Sequence, residues 1–197
     1  MTGNIYTKIY DAPPTNKREI LRYLGVQGEA PEVLPLVDEC ISEAEGVLSY
    51  KVCYIEADMI REDDTLCIGN IKTSSTALKK NLSGCERSVV FAATVGISLD
   101  RLISRYSAVS PTKAVIFDAI GSERIEALCD AFCEDISNEL GDLKPRFSPG
   151  YGDLTIETQR DIFALLDCPR KIGLTLNESM LMSPSKSVTA IVGINRS

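Results

Sequence analysis

Residues 112–140 carry a long helical pattern, and no other stretch constrains the fold as strongly. Ile125, Leu128, Cys129, Phe132, Ile136 and Leu140 recur at spacings of three and four, which places them on one helix face. At 197 residues the chain is long enough to build the single substantial core that such a face needs. Gly121 interrupts the pattern, so the helix either runs through it or is jointed there. Glu126, Asp130 and Glu134 form a second stripe beside the apolar face, one turn apart. Like charges at this spacing cost an exposed helix about 0.2–0.5 kcal/mol per pair. The stripe is therefore either a solvated acidic face or the source of a carboxylate that lines a cleft.

Before this helix the chain reads as an extended arm, residues 1–14, ending in Pro13-Pro14. Thr15 or Asn16 caps a short helix from Lys17 to about Leu24, which Gly25 stops. A second helix follows Pro31, with Val33, Val37, Ile41 and Ala44 on its apolar face, and Gly46 closes it. Val47 to about Ile60 is predicted extended, and a turn at Asp63-Asp64 leads into a short strand, Thr65 to Ile68. Thr73, Ser74 or Ser75 caps a helix over Thr76–Leu82. Ser88 to Gly96 is an almost continuous apolar run, the pattern of a strand buried on both faces. Ser98 opens the next helix.

After the long helix, Thr155 is the expected N-cap of a helix from Ile156 to Leu166, ended by Cys168-Pro169. Ile172–Leu176 and Ser187–Ile194 read as strands, joined by an apolar loop with interspersed polar groups.

Composition excludes several classes of function. The net charge of −7 disfavours a general binder of phosphate backbones, so no nucleic-acid partner is expected. No apolar run is long enough to span a bilayer, and the N-terminus lacks a basic region followed by an apolar stretch, so a cytoplasmic protein without a membrane partner is expected. Seven cysteines without a Cys-x-x-Cys pair form neither a disulfide framework nor a zinc ribbon. Cys129 and Cys133, one turn apart, are either small apolar side chains or two ligands of a metal site completed from elsewhere; the expectation is no metal. The chain has no histidine. That removes Ser-His-Asp and Cys-His triads and imidazole acid–base chemistry.

Between the long helix and the next lies Arg146-Phe147-Ser148-Pro149-Gly150-Tyr151-Gly152-Asp153. Pro149-Gly150 is a turn signal, and the stretch is by itself either a surface turn or one whose backbone faces a ligand. Gly150-x-Gly152 is not a Rossmann loop: no apolar strand leads into it and the third glycine is absent.

Several blocks occur in a fixed order: Phe117-Asp118-Ala119-Ile120-Gly121-Ser122, Leu128-Cys129-Asp130-Ala131-Phe132, Arg146 to Tyr151, Ile172 to Pro184, and Lys186 to Gly193. Together they resemble the activation (reactivation) domain of cobalamin-dependent methionine synthase, in its short stand-alone form, over about residues 90–194. The resemblance implies an α+β fold with a central, mainly antiparallel sheet flanked by helices, not Rossmann, with residues 1–197 as a single domain and 1–89 supplying its N-terminal helices and strands. It also implies an S-adenosylmethionine site. The motif Arg-x-x-x-Gly-Tyr falls on Arg146, Gly150 and Tyr151, with the arginine on the ligand carboxylate and Ser148 offering backbone groups to the adenine. Asp130 is the implied partner of the ligand ammonium, with Glu126 and Glu134 as one-turn alternatives. The family's N-terminal acidic contact aligns with no residue here. Longer members extend beyond Gly193 with a further aromatic side chain, so a more open pocket is expected.

By the same resemblance the chain is a reactivation subunit. S-Adenosylmethionine is the methyl donor, no protein group acts as acid or base, and cobalamin comes only through a partner protein, a methionine synthase subunit or another corrinoid protein. A flavodoxin-like electron donor is a candidate further partner. The alternatives are a non-catalytic docking or sensing module for a corrinoid protein, or a reactivation partner of another corrinoid methyltransferase.

Overall fold

A computed structural model describes residues 4–26 and 31–195; the start of the predicted arm, residues 1–3, lies outside them. Strand β2 (Tyr50–Glu62) is long enough to hold different partners along one edge. Its first half pairs with β1 (Tyr6–Tyr10) and its second half with β3 (Thr65–Ile68), which continues to β4 (Ile71–Thr73). On its other edge lies β5 (Arg87–Thr94), followed by β8 (Ser187–Ile194). The six strands form one antiparallel sheet.

Alternation along the strands separates two cores. Val52, Tyr54, Phe91, Ala93, Ala190 and Val192 face one side. There they meet α1 (Lys17–Tyr23), α2 (Leu34–Glu45), α4 (Ile97–Val109) and α5 (Pro111–Leu140). Cys53, Ile55, Val90, Ala92 and Ile191 face the other side, against α3 (Thr76–Asn81), α6 (Thr158–Leu166) and α7 (Cys168–Ile172). Helices on both faces explain why β5 reads as a continuous apolar run rather than an alternating one.

The long helix is a single element of 30 residues, not jointed at Gly121. The glycine serves close approach instead. A Cβ there would lie 2.4 Å from Leu99 Cδ2 on α4 and 2.7 Å from Lys186 Cγ. Gly121→Ala is expected to cost about 1–3 kcal/mol of stability, as overpacking does. A thermal midpoint equal to that of the parent protein would show that α4 yields without cost.

Polar contacts tie the N-terminal arm to α5. Lys8 Nζ reaches Asp135 Oδ2 at 2.8 Å and Glu139 Oε1 at 2.7 Å, and the Tyr10 hydroxyl donates to Asp135 at 2.7 Å. Asn16 caps α1, accepting from the Glu19 amide, and Ser75 caps α3, accepting from the Leu78 amide.

The C-terminal third departs from expectation in three places. Thr155 does not cap α6, because residues 155–157 form a tighter turn (Thr158 N to Thr155 O, 3.2 Å; Gln159 N to Ile156 O, 3.0 Å), and the helix starts at Thr158. Cys168-Pro169 does not end that helix. Left-handed Asp167 (φ 48°) does, and Pro169 sits in the first turn of α7, where its missing N–H is harmless. Ile172–Leu174 is therefore not strand. Gly173 (φ 71°) closes α7, and only β6 (Thr175–Leu176) is extended, pairing with β7 (Met182–Ser183) in a hairpin apart from the main sheet.

Candidate ligand site

The predicted site stretch is held against the outer edge of β8. Leu143 and Phe147 bridge Ile194 and Ile191, and Phe147 and Ile191 exchange both backbone hydrogen bonds at 2.9 Å. The Phe147 side chain packs on the core beneath α6, and Arg146 turns to the opposite side, towards α5.

There Arg146 meets the acidic stripe. Its Nη2 donates to Glu126 Oε2 at 2.9 Å and to Asp130 Oδ1 at 3.0 Å. The guanidinium side chain is 25% exposed, against 48% for Glu126 and 74% for Asp130, so the cation is sunk and the anions reach solvent. Burial opposes the charge on Arg146, but its anionic neighbours, Glu126 and Asp130 among them, more than offset this and hold its pKa above the ordinary arginine value. Beneath it, burial pushes the Cys129 thiol up to about 12 and the Cys133 thiol to about 11, against the opposing pull of Arg146. Both stay protonated near neutrality and act as packing, not as nucleophiles. Among the described residues no cluster of three or more His, Cys, Asp or Glu side chains is placed to hold a metal.

Glu126 and Asp130 also line a groove of about 510 Å³, together with Glu134, Pro13, Pro14 and Asn16. This is within the size range of small-molecule clefts. The stripe is thus a cleft wall rather than only a solvated face. The opposite wall, the arm, is pinned by a buried pair that sequence reading missed. Arg124, 1% exposed, donates to the carbonyls of Pro13 (2.6 Å) and Pro14 (2.8 Å) and to Glu123, while Glu123 accepts from the Asn16 amide at 3.0 Å.

The turn itself has Pro149 at its second position and Gly150 at its third with φ 91°, and the Tyr151 amide donates to Ser148 O at 3.2 Å, the type II pattern. The Gly150 amide is committed to Leu154 O at 2.8 Å. Tyr151 is 71% exposed and touches Phe147 edge-on, at 6.3 Å between ring centroids. The exposed ring thus presents an aromatic face to solvent next to Phe147. Asp153 received no role from its sequence pattern, yet its carboxylate accepts from the Ser75 hydroxyl and from the amides of Thr76 (2.7 Å) and Ala77 (3.1 Å). These bonds, the Ser75 hydroxyl first, lower its pKa to about 2. A depressed carboxyl pKa means that the contact is complete above about pH 4 and is lost as pH falls through about 2.

An antiparallel sheet covered by helices on both faces, with an arginine–carboxylate cluster outside its edge strand, defines an α+β protein whose candidate site is not of the Rossmann kind. The family model for the vitamin B12-dependent methionine synthase activation domain matches residues 74–197, more than half of the chain, and the chain belongs to that family. A solved structure with the same fold is the crystal structure of the MetH reactivation domain bound to AdoHcy. It superposes with a TM-score of 0.72 at 17% identity, covering 98% of this chain and 78% of that one. No curated protein matches the chain. Among the described residues no helix is long and apolar enough to cross a membrane.

Proposed function

We propose that this chain, acting as one domain of residues 1–197, binds S-adenosylmethionine at the Arg146 cluster and serves as a reactivation subunit for a cobalamin-bearing methionine synthase. The observation that carries this reading is the pairing of Arg146, four residues before Gly150 of the Gly150-Tyr151 turn in sequence, with Glu126 and Asp130, in a member of the activation-domain family. An amino-acid head group carries a carboxylate and an ammonium. Entering between these side chains, it exchanges the internal ion pair for two matched ones: its carboxylate takes the planar fork of Arg146, and its ammonium takes Glu126 and Asp130. No charge is stranded. The cluster holds an excess of negative charge, and S-adenosylmethionine, with its sulfonium, carries a single net positive charge. The demethylated product carries none, so the site favours the methyl donor over the product. Ser148, Gly150 and Tyr151 flank the adenosyl group, with the Tyr151 ring free to stack.

The chain has no histidine to offer cobalt, so the corrinoid is supplied by a partner, in a cytoplasmic setting in keeping with free cysteines. The corrinoid on that partner, once reduced by one electron from a low-potential donor such as a flavodoxin-like protein, would supply the nucleophile for the methyl group. The residues of this chain need only hold the sulfonium methyl towards it. Calorimetric titration with S-adenosylmethionine is expected to show one site, tighter for the methyl donor than for S-adenosylhomocysteine. Labelled methyl is then expected to appear on a cob(II)alamin-loaded partner when reductant is supplied. No binding at millimolar ligand sinks the proposal and leaves a docking role.

A further inference from the structure

We propose that Asp153 is a positioning residue for the ligand turn and that it acts by latching this turn onto the start of α3; the proposal rests on the reading of Arg146 to Tyr151 as the S-adenosylmethionine site. At its front end the turn is fixed by the paired backbone of Phe147 and Ile191. At its back end the Asp153 carboxylate receives the Ser75 hydroxyl and the Thr76 and Ala77 amides. The Ser75 oxygen in turn accepts from the Leu78 amide at 3.1 Å, so one hydroxyl serves both the helix cap and the latch.

Gly152 shows how close the contact is. A Cβ at that position would lie 2.8 Å from the Ala77 Cβ, and its φ of 56° suits glycine. The next residue, Leu154, is buried in the core below. Between these anchors the Tyr151 side chain is largely exposed and meets Phe147 edge-on. The ring and backbone proposed to meet the ligand are thus placed by their ends, and Asp153 is the polar end. It is itself on the surface, so removing its carboxylate opens no cavity.

Two substitutions reach this latch from opposite sides. Asp153→Ala removes the acceptor. Thr76→Pro removes one donor without touching the turn, at the first position of α3, where proline fits. S-Adenosylmethionine affinity, by calorimetry, is expected to fall about tenfold in Thr76→Pro and further in Asp153→Ala. Asp153→Asn is expected to recover part of the loss, because its carbonyl oxygen still accepts. Without ligand, amide hydrogen exchange at Gly150, Tyr151 and Leu154 is expected to quicken in the same order, while the core of the sheet keeps its protection. Parental affinity in Asp153→Ala overturns the proposal. If the parent protein binds no S-adenosylmethionine, the functional reading fails instead, and exchange still decides the latch: parental rates in Asp153→Ala refute it, and faster rates uphold it.

Discussion

Arg124→Ala is expected to destabilise the fold by about 3–5 kcal/mol, the range for breaking one side of a buried ion pair. Arg124 is fully enclosed and bonds Glu123 through two nitrogens, and its remaining donors hold the carbonyls of Pro13 and Pro14. Alanine leaves the Glu123 carboxylate, 4% exposed as a residue, with the Asn16 amide as its remaining hydrogen-bond donor among the described residues, and leaves two proline carbonyls without this donor. The large term is the stranded charge rather than the lost attraction. Removing both partners together, as Glu123→Gln with Arg124→Met, is therefore expected to cost less than Arg124→Ala alone. Urea denaturation of the two variants makes the comparison. A single variant within about 1 kcal/mol of the parent would falsify the view that this pair pins the arm. Because the arm forms one wall of the groove beside Glu126 and Asp130, its loosening also opens that groove.

Most of the scaffold was legible because local signals and burial agree. Asn16 and Ser75 start helices with their side chains, Gly25 follows α1 with φ 71°, Gly46 closes α2 at an ordinary φ of −70°, and β5 and β8 carry the apolar runs that two covered faces require. The misreadings share a cause. Ile172 and Leu174 are apolar and buried as expected, but a left-handed Asp167 and a helix-opening Pro169 turn the first of them into helix. Apolarity alone does not separate a buried helical turn from a strand. β4 was missed because Ile71–Thr73 is too short to show a period.

At the site, the motif residues and the acidic stripe were visible, but the bonds between them were not. Glu126 and Asp130 come within reach of Arg146 only because the chain after α5 doubles back along β8. The Asp153 latch and the Arg124 pin join residues far apart in the chain, to which no spacing rule applies. A cap residue such as Ser75 shows that a helix starts, not that a distant carboxylate will share its hydroxyl.

Arg146→Ala is expected to separate ligand affinity from stability. In the free protein the substitution removes ion pairs to two carboxylates that are largely open to water, a loss of about 1 kcal/mol or less. In the complex it removes the partner of the ligand carboxylate at a site where the guanidinium is sunk against α5. Truncating one side of such a pair costs about 2–5 kcal/mol, so affinity for S-adenosylmethionine is expected to fall at least about thirtyfold. Arg146→Lys keeps the charge but not the fork, and its affinity is expected to lie between the two. The sheltered setting is already visible in the thiols below, where burial holds Cys129 and Cys133 protonated despite the nearby cation. Calorimetry with parallel melting curves reads both quantities. Equal affinity in parent and Arg146→Ala would remove the arginine from the site. Loss of affinity accompanied by an equal loss of stability would make it a structural residue. A large loss of affinity at near-parental stability is the outcome that an exchangeable ion pair, poised to accept an amino-acid head group, requires.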